Sequence, residues 1–446
     1  MMISHLTKKC QELQLLLKSC VCRNFNDFFI VLDWRRDRYL FFEDLALRII
    51  SDIAEIGCVD IGFLLEKYDV TKENLCKDIE CFLFNTIDFF KPSNIPEGTD
   101  KGLVSEEYIF SLAAKKLIPL TATIEITEKC NESCIHCYRP DLDGIEVWDE
   151  STFKLTCEQL KDLGTVQIDF TGGEPFAKEN FINYVKICSK MNFAIGLLTN
   201  GTLLSETIIE ELSLLNIRMI YISLYGSTSK SHDVITNRRG SFKKTIESIL
   251  AIKQKGLPLT INSPIMRQNQ NEVENIKKFC VLNDIEVKFT FKITNSYKTK
   301  KNTKALNIFS EKLISRYINN PNVLLYKELI KSKKRNGFVI PEHVCDTGFR
   351  SLTISPHGDI IPCTALRFTC GNIKNESLSD IWYNSKQLKY WRKTGSLVSD
   401  TCKKCPAYFF CEPCPADYFS ENSSFEGVDE TTCKFGKALA NCVYKL

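Results

Sequence analysis

Residues 119–140 read PLTATIEITEKCNESCIHCYRP, and residues 166–178 read VQIDFTGGEPFAK. Each begins with a run suited to a β-strand and ends in a loop of unusual chemistry. The first loop holds Cys130, Cys134 and Cys137 as C-x3-C-x2-C, and the second holds Gly172, Gly173, Glu174 and Pro175. Working outward, apolar runs at 121–127, 166–171, 193–199, 218–224, 257–264 and 287–293 predict strands. Helical patterns fall between them near 151–163, 177–191, 204–215, 241–255 and 272–283. Repeated βα units imply an α/β fold with a parallel sheet and right-handed crossovers. Six units over about 170 residues suit a (β/α)6 partial TIM barrel better than a closed eightfold one. Ligands in such sheets sit at the C-terminal strand ends. Both loops fall there, as do Thr199-Asn200-Gly201 and Ser223-Leu224-Tyr225-Gly226.

Three thiolates on one short loop can hold three irons of a [4Fe–4S] cube and leave the fourth iron for a small chelating molecule. Their softness favours iron–sulfur or zinc over hard cations. A closed zinc site would need a fourth ligand, which His136 could offer, although residues as close as His136 and Cys137 rarely reach one metal. Gly172 and Gly173 allow a close backbone approach to a ligand. Glu174 can accept a hydrogen bond from an ammonium group.

The whole chain has 446 residues, 21 cysteines and a net charge of +3. That length suggests about three domains. So small a charge leaves little to neutralise phosphates, which argues against a nucleic-acid partner. The N-terminal apolar run at 15–17 is too short for a signal segment, and no window approaches the ~20 apolar residues of a membrane helix. The expectation is a cytoplasmic protein, in which abundant cysteines are ligands rather than disulfides.

Residues 1–115 form the head. FNDFFIVLDWRRDRYLFF at 25–42 predicts a β-hairpin, followed by three helices, the last capped by Thr71. This is a winged-helix-like layout. Both signs of charge and the lack of a basic recognition helix argue against DNA. The barrel occupies 116–335. Its stretch 296–336 is basic (Lys298, Lys300, Lys301, Lys304, Lys331, Lys333, Lys334, Arg335) and is expected to be a solvated linker helix. Residues 336–446 form a cysteine-rich tail with Cys345, Cys363, Cys370, Cys402, Cys405, Cys411, Cys414, Cys433 and Cys442. Its C-x2-C pairs alone would also suit a zinc ribbon.

On the C-x3-C-x2-C loop with Tyr138 after it, and on GGEP one βα unit later, the chain resembles the radical S-adenosylmethionine superfamily. The resemblance implies a [4Fe–4S] cluster on Cys130, Cys134 and Cys137, with S-adenosylmethionine chelating its open iron. Gly172, Gly173, Glu174 and Pro175 would bind the methionine part, with Asn200 and Ser223 also at the cofactor. The tail, with ISPHGDIIPC, GNI and LSDIW around its cysteines, resembles the SPASM extension. By that resemblance Cys402, Cys405, Cys411 and Cys433 hold one auxiliary [4Fe–4S] cluster. Cys345, Cys363 and Cys414 hold another, which gives three clusters in all, with Cys370 a spare.

The block CDTGFRSLTISPHGDIIPC and the C-x5-C-x2-C spacing are similar to subtilosin-type (sactipeptide/ranthipeptide) maturases, which install thioether cross-links in ribosomal peptides. Thr364 stands where sulfatase maturases usually have aspartate. The head resembles a peptide-recognition element that takes a leader peptide as an extra strand, Arg35, Arg36 and Arg38 suiting an acidic one. A plain packing domain is the other reading of the head. The implied partners are a precursor peptide and an external one-electron reductant of the flavodoxin or ferredoxin type. The implied reaction removes a hydrogen atom from the peptide by way of a 5′-deoxyadenosyl radical and closes a cysteine sulfur onto that carbon. No side-chain general base is needed, and His5, His136, His232, His343 and His357 read as structural or solvated. Alternatives are C–C or C–O cross-linking or epimerisation, maturation of a sulfatase or quinohemoprotein, and a non-enzymatic zinc-containing peptide binder.

Overall fold

The aromatic run FFIVLD and the run RYLFFE pair as antiparallel strands because their alternate residues bury on opposite faces. The computed structural model describes residues 2–444 except 26, 37, 69, 91–105, 140–145, 298–302, 309–341, 412 and 426. In the head, α1 (Met2–Lys18) precedes a three-stranded antiparallel sheet of β1 (Val21–Asn24), β2 (Phe28–Asp33) and β3 (Arg38–Glu43), in the order β1-β2-β3. Helices α2 (Asp44–Ile56), α3 (Ile61–Lys67) and α4 (Lys72–Phe89) follow, then α5 (Glu106–Lys116). Thr71 caps α4 by accepting from the Asn74 N–H at 3.3 Å.

Hairpin β2–β3 and the three helices match the sequence expectation. Helix α1 and strand β1 were not expected. The apolar stripe of α1 becomes visible only when Cys10 is counted with Leu6, Leu13 and Leu17, all of which are buried. Cys10, Cys20 and Cys76 are core residues of the head, acting as small hydrophobes.

The barrel strands are β4 (Thr121–Glu125), β5 (Gln167–Thr171), β6 (Ala194–Thr199), β7 (Ile217–Ser223), β8 (Leu259–Pro264) and β9 (Glu286–Thr290). All five pairs between neighbours are parallel. The strands are flanked by α6 (Glu150–Asp162), α7 (Phe181–Lys190), α8 (Glu206–Ser213), α9 (Ser229–Thr236), α10 (Ser241–Gln254) and α11 (Val273–Leu282). Strand β6 is buried along nearly its whole length, as a strand covered on both faces should be. Phe153, Phe170 and Phe193 fill the space between sheet and helices. Helix α9 is absent from the sequence reading. It is short and polar, and is started by Thr228, whose hydroxyl accepts from Ser231 N–H.

The tail continues this sheet. Strand β10 (Ser351–Ile354) pairs parallel with β4, and β11 (Asp359–Ile361) and β12 (Gly371–Asn372) add antiparallel strands beyond it. The β10–β11 turn needs Gly358, whose φ is +88° and whose N–H donates to Ser355 O at 3.0 Å. The exposed edge that β4 would otherwise present is thus covered.

The head docks under the barrel. Arg23 is buried, donates to Thr165 O at 2.8 Å and Asn192 O at 3.1 Å, and lies over the Phe193 ring at 4.9 Å. Thr165 and Asn192 precede β5 and β6, so this contact is at the N-terminal end of the barrel, opposite the motif loops. Most of the basic stretch 296–336 lies outside the described residues. Lys304 does not fit a solvated linker: it pairs with Glu421 and, at 3.1 Å, with Asp429 in the tail. Among the described residues no helix is long and apolar enough to cross a membrane.

Candidate active site

The three-cysteine loop is held from both sides by backbone contacts. Gly173 N–H donates to Thr127 O, and Glu174 N–H to Lys129 O, both at 2.8 Å. A Cβ on Gly172 would stand 2.4 Å from Thr127 O, and one on Gly173 would stand 2.1 Å from Lys129 O. The glycines therefore let two loops meet, a different close approach from the expected one toward a ligand. On the other side Ser133 and Ile135 donate to Thr236 O and Ile235 O of α9 at 3.1 and 2.9 Å. Asn200 Nδ2 donates to Asn131 Oδ1 at 2.8 Å, which ties the end of β6 to the same loop.

These loops enclose a cavity of about 720 Å³ at the barrel mouth, within the range of small-ligand sites. Cys134, Cys137, Glu174, Asn200, Ser223 and Lys292 are among its walls. Cys130 borders it too and is the most exposed of the three thiols. Burial pushes the Cys130 and Cys134 thiols up, and nearby carboxylates and Cys137 add to it. Bound iron would reverse this, since a coordinating thiol is deprotonated by the ion's own charge.

Glu174 is 1% exposed. Its carboxylate accepts from Thr199 Oγ1 at 2.6 Å, Asn200 N–H at 2.7 Å and Phe176 N–H at 3.2 Å. Three of about four acceptor sites are taken, which leaves one for a donor in the cavity. Burial raises its pKa to about 7 despite those bonds. Pro175 starts the short turn that Glu174 caps. Ser223 closes β7, and its hydroxyl bonds with the buried Tyr225. The Tyr225 ring packs against His136 at 4.8 Å. His232 Nδ1 accepts from Tyr225 N–H at 3.2 Å, and burial lowers its pKa to about 4.

The tail cysteines assort by space. Burial, then Cys414 and Cys345 nearby, push the Cys363 thiol up to about 12. Burial, then Cys433, Cys402 and Cys405, do the same to Cys411, also to about 12. Two groups result, 345/363/414 and 402/405/411/433, although Cys411 and Cys414 are neighbours in sequence. Cys370 lies in the core with its thiol toward Phe368 O at 3.4 Å. Among the described residues no three His, Cys, Asp or Glu side chains form a group able to hold a single metal ion. Thiols spaced around a cube, each meeting a different iron, need not converge that way.

Barrel and tail meet through residues no motif marks. Arg367 Nη1 and Nη2 donate to the Glu125 carboxylate at 2.7 and 2.6 Å. Tyr297 N–H donates to Tyr138 O at 3.0 Å, and Tyr297 Oη donates to Ala365 O at 2.7 Å. Tyr138 is hydrogen-bonded to Thr364. The loop residue after Cys137 thus touches the residue after Cys363. In the head, the three arginines are engaged locally. Arg36 pairs with Asp33 at 2.7 Å, Arg35 covers Trp34 and Arg38 covers Phe89.

Residues 124–280 match the radical SAM superfamily, and residues 345–406 match the SPASM iron–sulfur cluster-binding domain. This chain carries a radical SAM domain joined to a SPASM domain. The radical SAM domain binds S-adenosylmethionine and a [4Fe–4S] cluster, and the SPASM domain binds auxiliary iron–sulfur clusters. The SPASM match begins at Cys345, ahead of β10, the strand that joins the barrel sheet.

The chain is 26% identical over 314 residues to the antilisterial bacteriocin subtilosin biosynthesis protein AlbA of Bacillus subtilis, covering 66% of each chain. It is 26% identical over 306 residues to a PqqA peptide cyclase of Bradyrhizobium diazoefficiens, covering 65% of this chain and 79% of that one. Its fold is similar to that of Streptococcus suis SuiB bound to the precursor peptide SuiA. There the TM-score is 0.64 at 17% identity, over 93% of this chain and 98% of that one.

Proposed function

We propose that this protein is a radical SAM peptide maturase that installs thioether cross-links in a ribosomally made precursor peptide. The observation that carries the radical chemistry is the joining of three thiols, the buried Glu174 and a ligand-sized cavity at one barrel mouth. Cys130, Cys134 and Cys137 would hold the first cluster, and the two tail groups would hold one cluster each. When bound, the first cluster and S-adenosylmethionine supply a 5′-deoxyadenosyl radical that takes a hydrogen atom from carbon. The chain's own part is to bind, orient and shield. Glu174 offers its remaining acceptor to the cofactor ammonium, Asn200 holds the cysteine loop in place, and the barrel walls exclude water.

The peptide substrate is supported by the relatives, which include a bacteriocin biosynthesis protein and peptide cyclases. A leader would add as a strand to β3. The opposite edge strand, β1, carries Arg23 and is turned toward the barrel, and β3 has no second partner strand among the described residues. A cytoplasmic setting and a small one-electron reductant complete the reading.

The likeness to peptide cyclases supports carbon–carbon closure as a second reading. Anaerobic incubation with S-adenosylmethionine, reductant and a cysteine-containing precursor peptide, sought in the open reading frames beside the gene, tests both. Thioether closure removes two hydrogens per link and one alkylatable thiol. Carbon–carbon closure removes two hydrogens and leaves the thiols. An unchanged mass with no 5′-deoxyadenosine refutes both.

A further inference from the structure

Two residues past β9, Lys292 crosses from the barrel wall to the tail. Its Nζ pairs with Asp417, whose side chain is 4% exposed, while that of Lys292 is 20% exposed. Asn295 secures the same helix, Pro415–Asn422, by donating from Nδ2 to Asp417 O at 3.2 Å and Ser420 Oγ at 3.1 Å. Asp417 N–H in turn donates to Cys414 O at 3.3 Å.

The Lys292–Asp417 pair therefore stands beside Cys414, the N-cap of this helix. Burial opposes the charge on Lys292, and Asp417 and Cys414 outweigh it, so the side chain remains an ammonium.

We propose that Lys292 and Asp417 are positioning residues that set the reduction potential of the tail cluster at Cys345, Cys363 and Cys414, Lys292 raising it and Asp417 lowering it. This rests on the reading of the tail thiols as cluster ligands. Reducing a thiolate-bound cluster adds negative charge, and net charge is one of the quantities that sets its potential. A cation held nearby in a poorly screened site stabilises the reduced form, and a carboxylate stabilises the oxidised form.

Redox titration of the reconstituted full chain, followed by electron paramagnetic resonance, tests this. Lys292→Met should shift the potential of the cluster at Cys414 downward, and Lys292→Arg should restore it. Asp417→Asn should shift the potential of the cluster at Cys414 upward. A purely structural salt bridge predicts the same response to loss of either partner. Shifts of equal sign, or none, would overturn the proposal. If Lys292→Met sheds iron, the Asp417→Asn titration decides alone, an upward shift supporting the proposal and any other result sinking it. A wild-type tail without iron would overturn the cluster reading, and this proposal with it. Iron present with unmoved potentials would overturn only this proposal.

Discussion

Replacing Arg367 by Met removes half of a buried, two-pronged ion pair between the tail and the end of β4. Glu125 is 1% exposed, and both of its carboxylate oxygens accept from Arg367, at 2.6 and 2.7 Å. Without the guanidinium that carboxylate stays buried and uncompensated. Breaking such a pair from one side costs about 3–5 kcal/mol. Changing both partners to Met leaves no orphaned charge, so the double variant should recover most of the loss. Arg367→Lys should fall between, because an ammonium keeps the charge but not the planar fork. The assay is urea unfolding of the cluster-loaded chain under anaerobic conditions, followed by tryptophan fluorescence. Trp148 is a suitable reporter, being buried with its Nε1 donating to Glu125 O at 3.0 Å. A single-variant loss below about 1 kcal/mol, the size of an exposed pair, would refute the reasoning.

Replacing Cys130, Cys134 and Cys137 together by Ala should abolish 5′-deoxyadenosine and lower iron from about twelve to about eight per chain, one four-iron cluster fewer. Cleavage that survives would overturn the barrel assignment. Gly173→Ala places a Cβ 2.1 Å from Lys129 O. It should cost about 1–3 kcal/mol and loosen iron in the barrel cluster, as seen by chelator release. Glu174 has its folded pKa raised to about 7 from 4.5. Its contribution to stability is therefore fully present below about 4.5 and lost as pH rises to about 7. Cofactor binding runs the other way, because an ammonium needs the carboxylate. Calorimetric affinity for S-adenosylmethionine should weaken as pH falls through about 7, and Glu174→Gln should weaken it about tenfold or more and flatten that dependence.

Local patterns were legible wherever the chemistry is local. Six strands and five helices of the barrel follow from periodicity, because each βα unit buries its own apolar face. C-x3-C-x2-C and GGEP announce themselves because one short loop supplies several groups to one site. Helix α1 shows no clear apolar period because its stripe includes a cysteine, and α9 shows none because it is eight residues long and largely polar.

The sequence by itself determined the class of fold, the position of the reactive loops at the strand ends and the ten cysteines at motif spacing. Only the tertiary structure decided which surfaces meet. It placed β10 against β4 across some 230 residues of chain, joined Glu125 to Arg367 and Lys292 to Asp417, put the head beneath the barrel, and showed that the glycines let two backbones meet. Ten of the remaining eleven cysteines have described side chains. Of these Cys10, Cys20, Cys76, Cys157, Cys188, Cys280 and Cys370 are buried or core residues, and the others carry no assigned task. Such pairings depend on distance in space between segments with no shared periodicity. A charge or a thiol seeks its partner wherever burial makes the lack of one costly, and that cost is set by the folded packing rather than by neighbours along the chain.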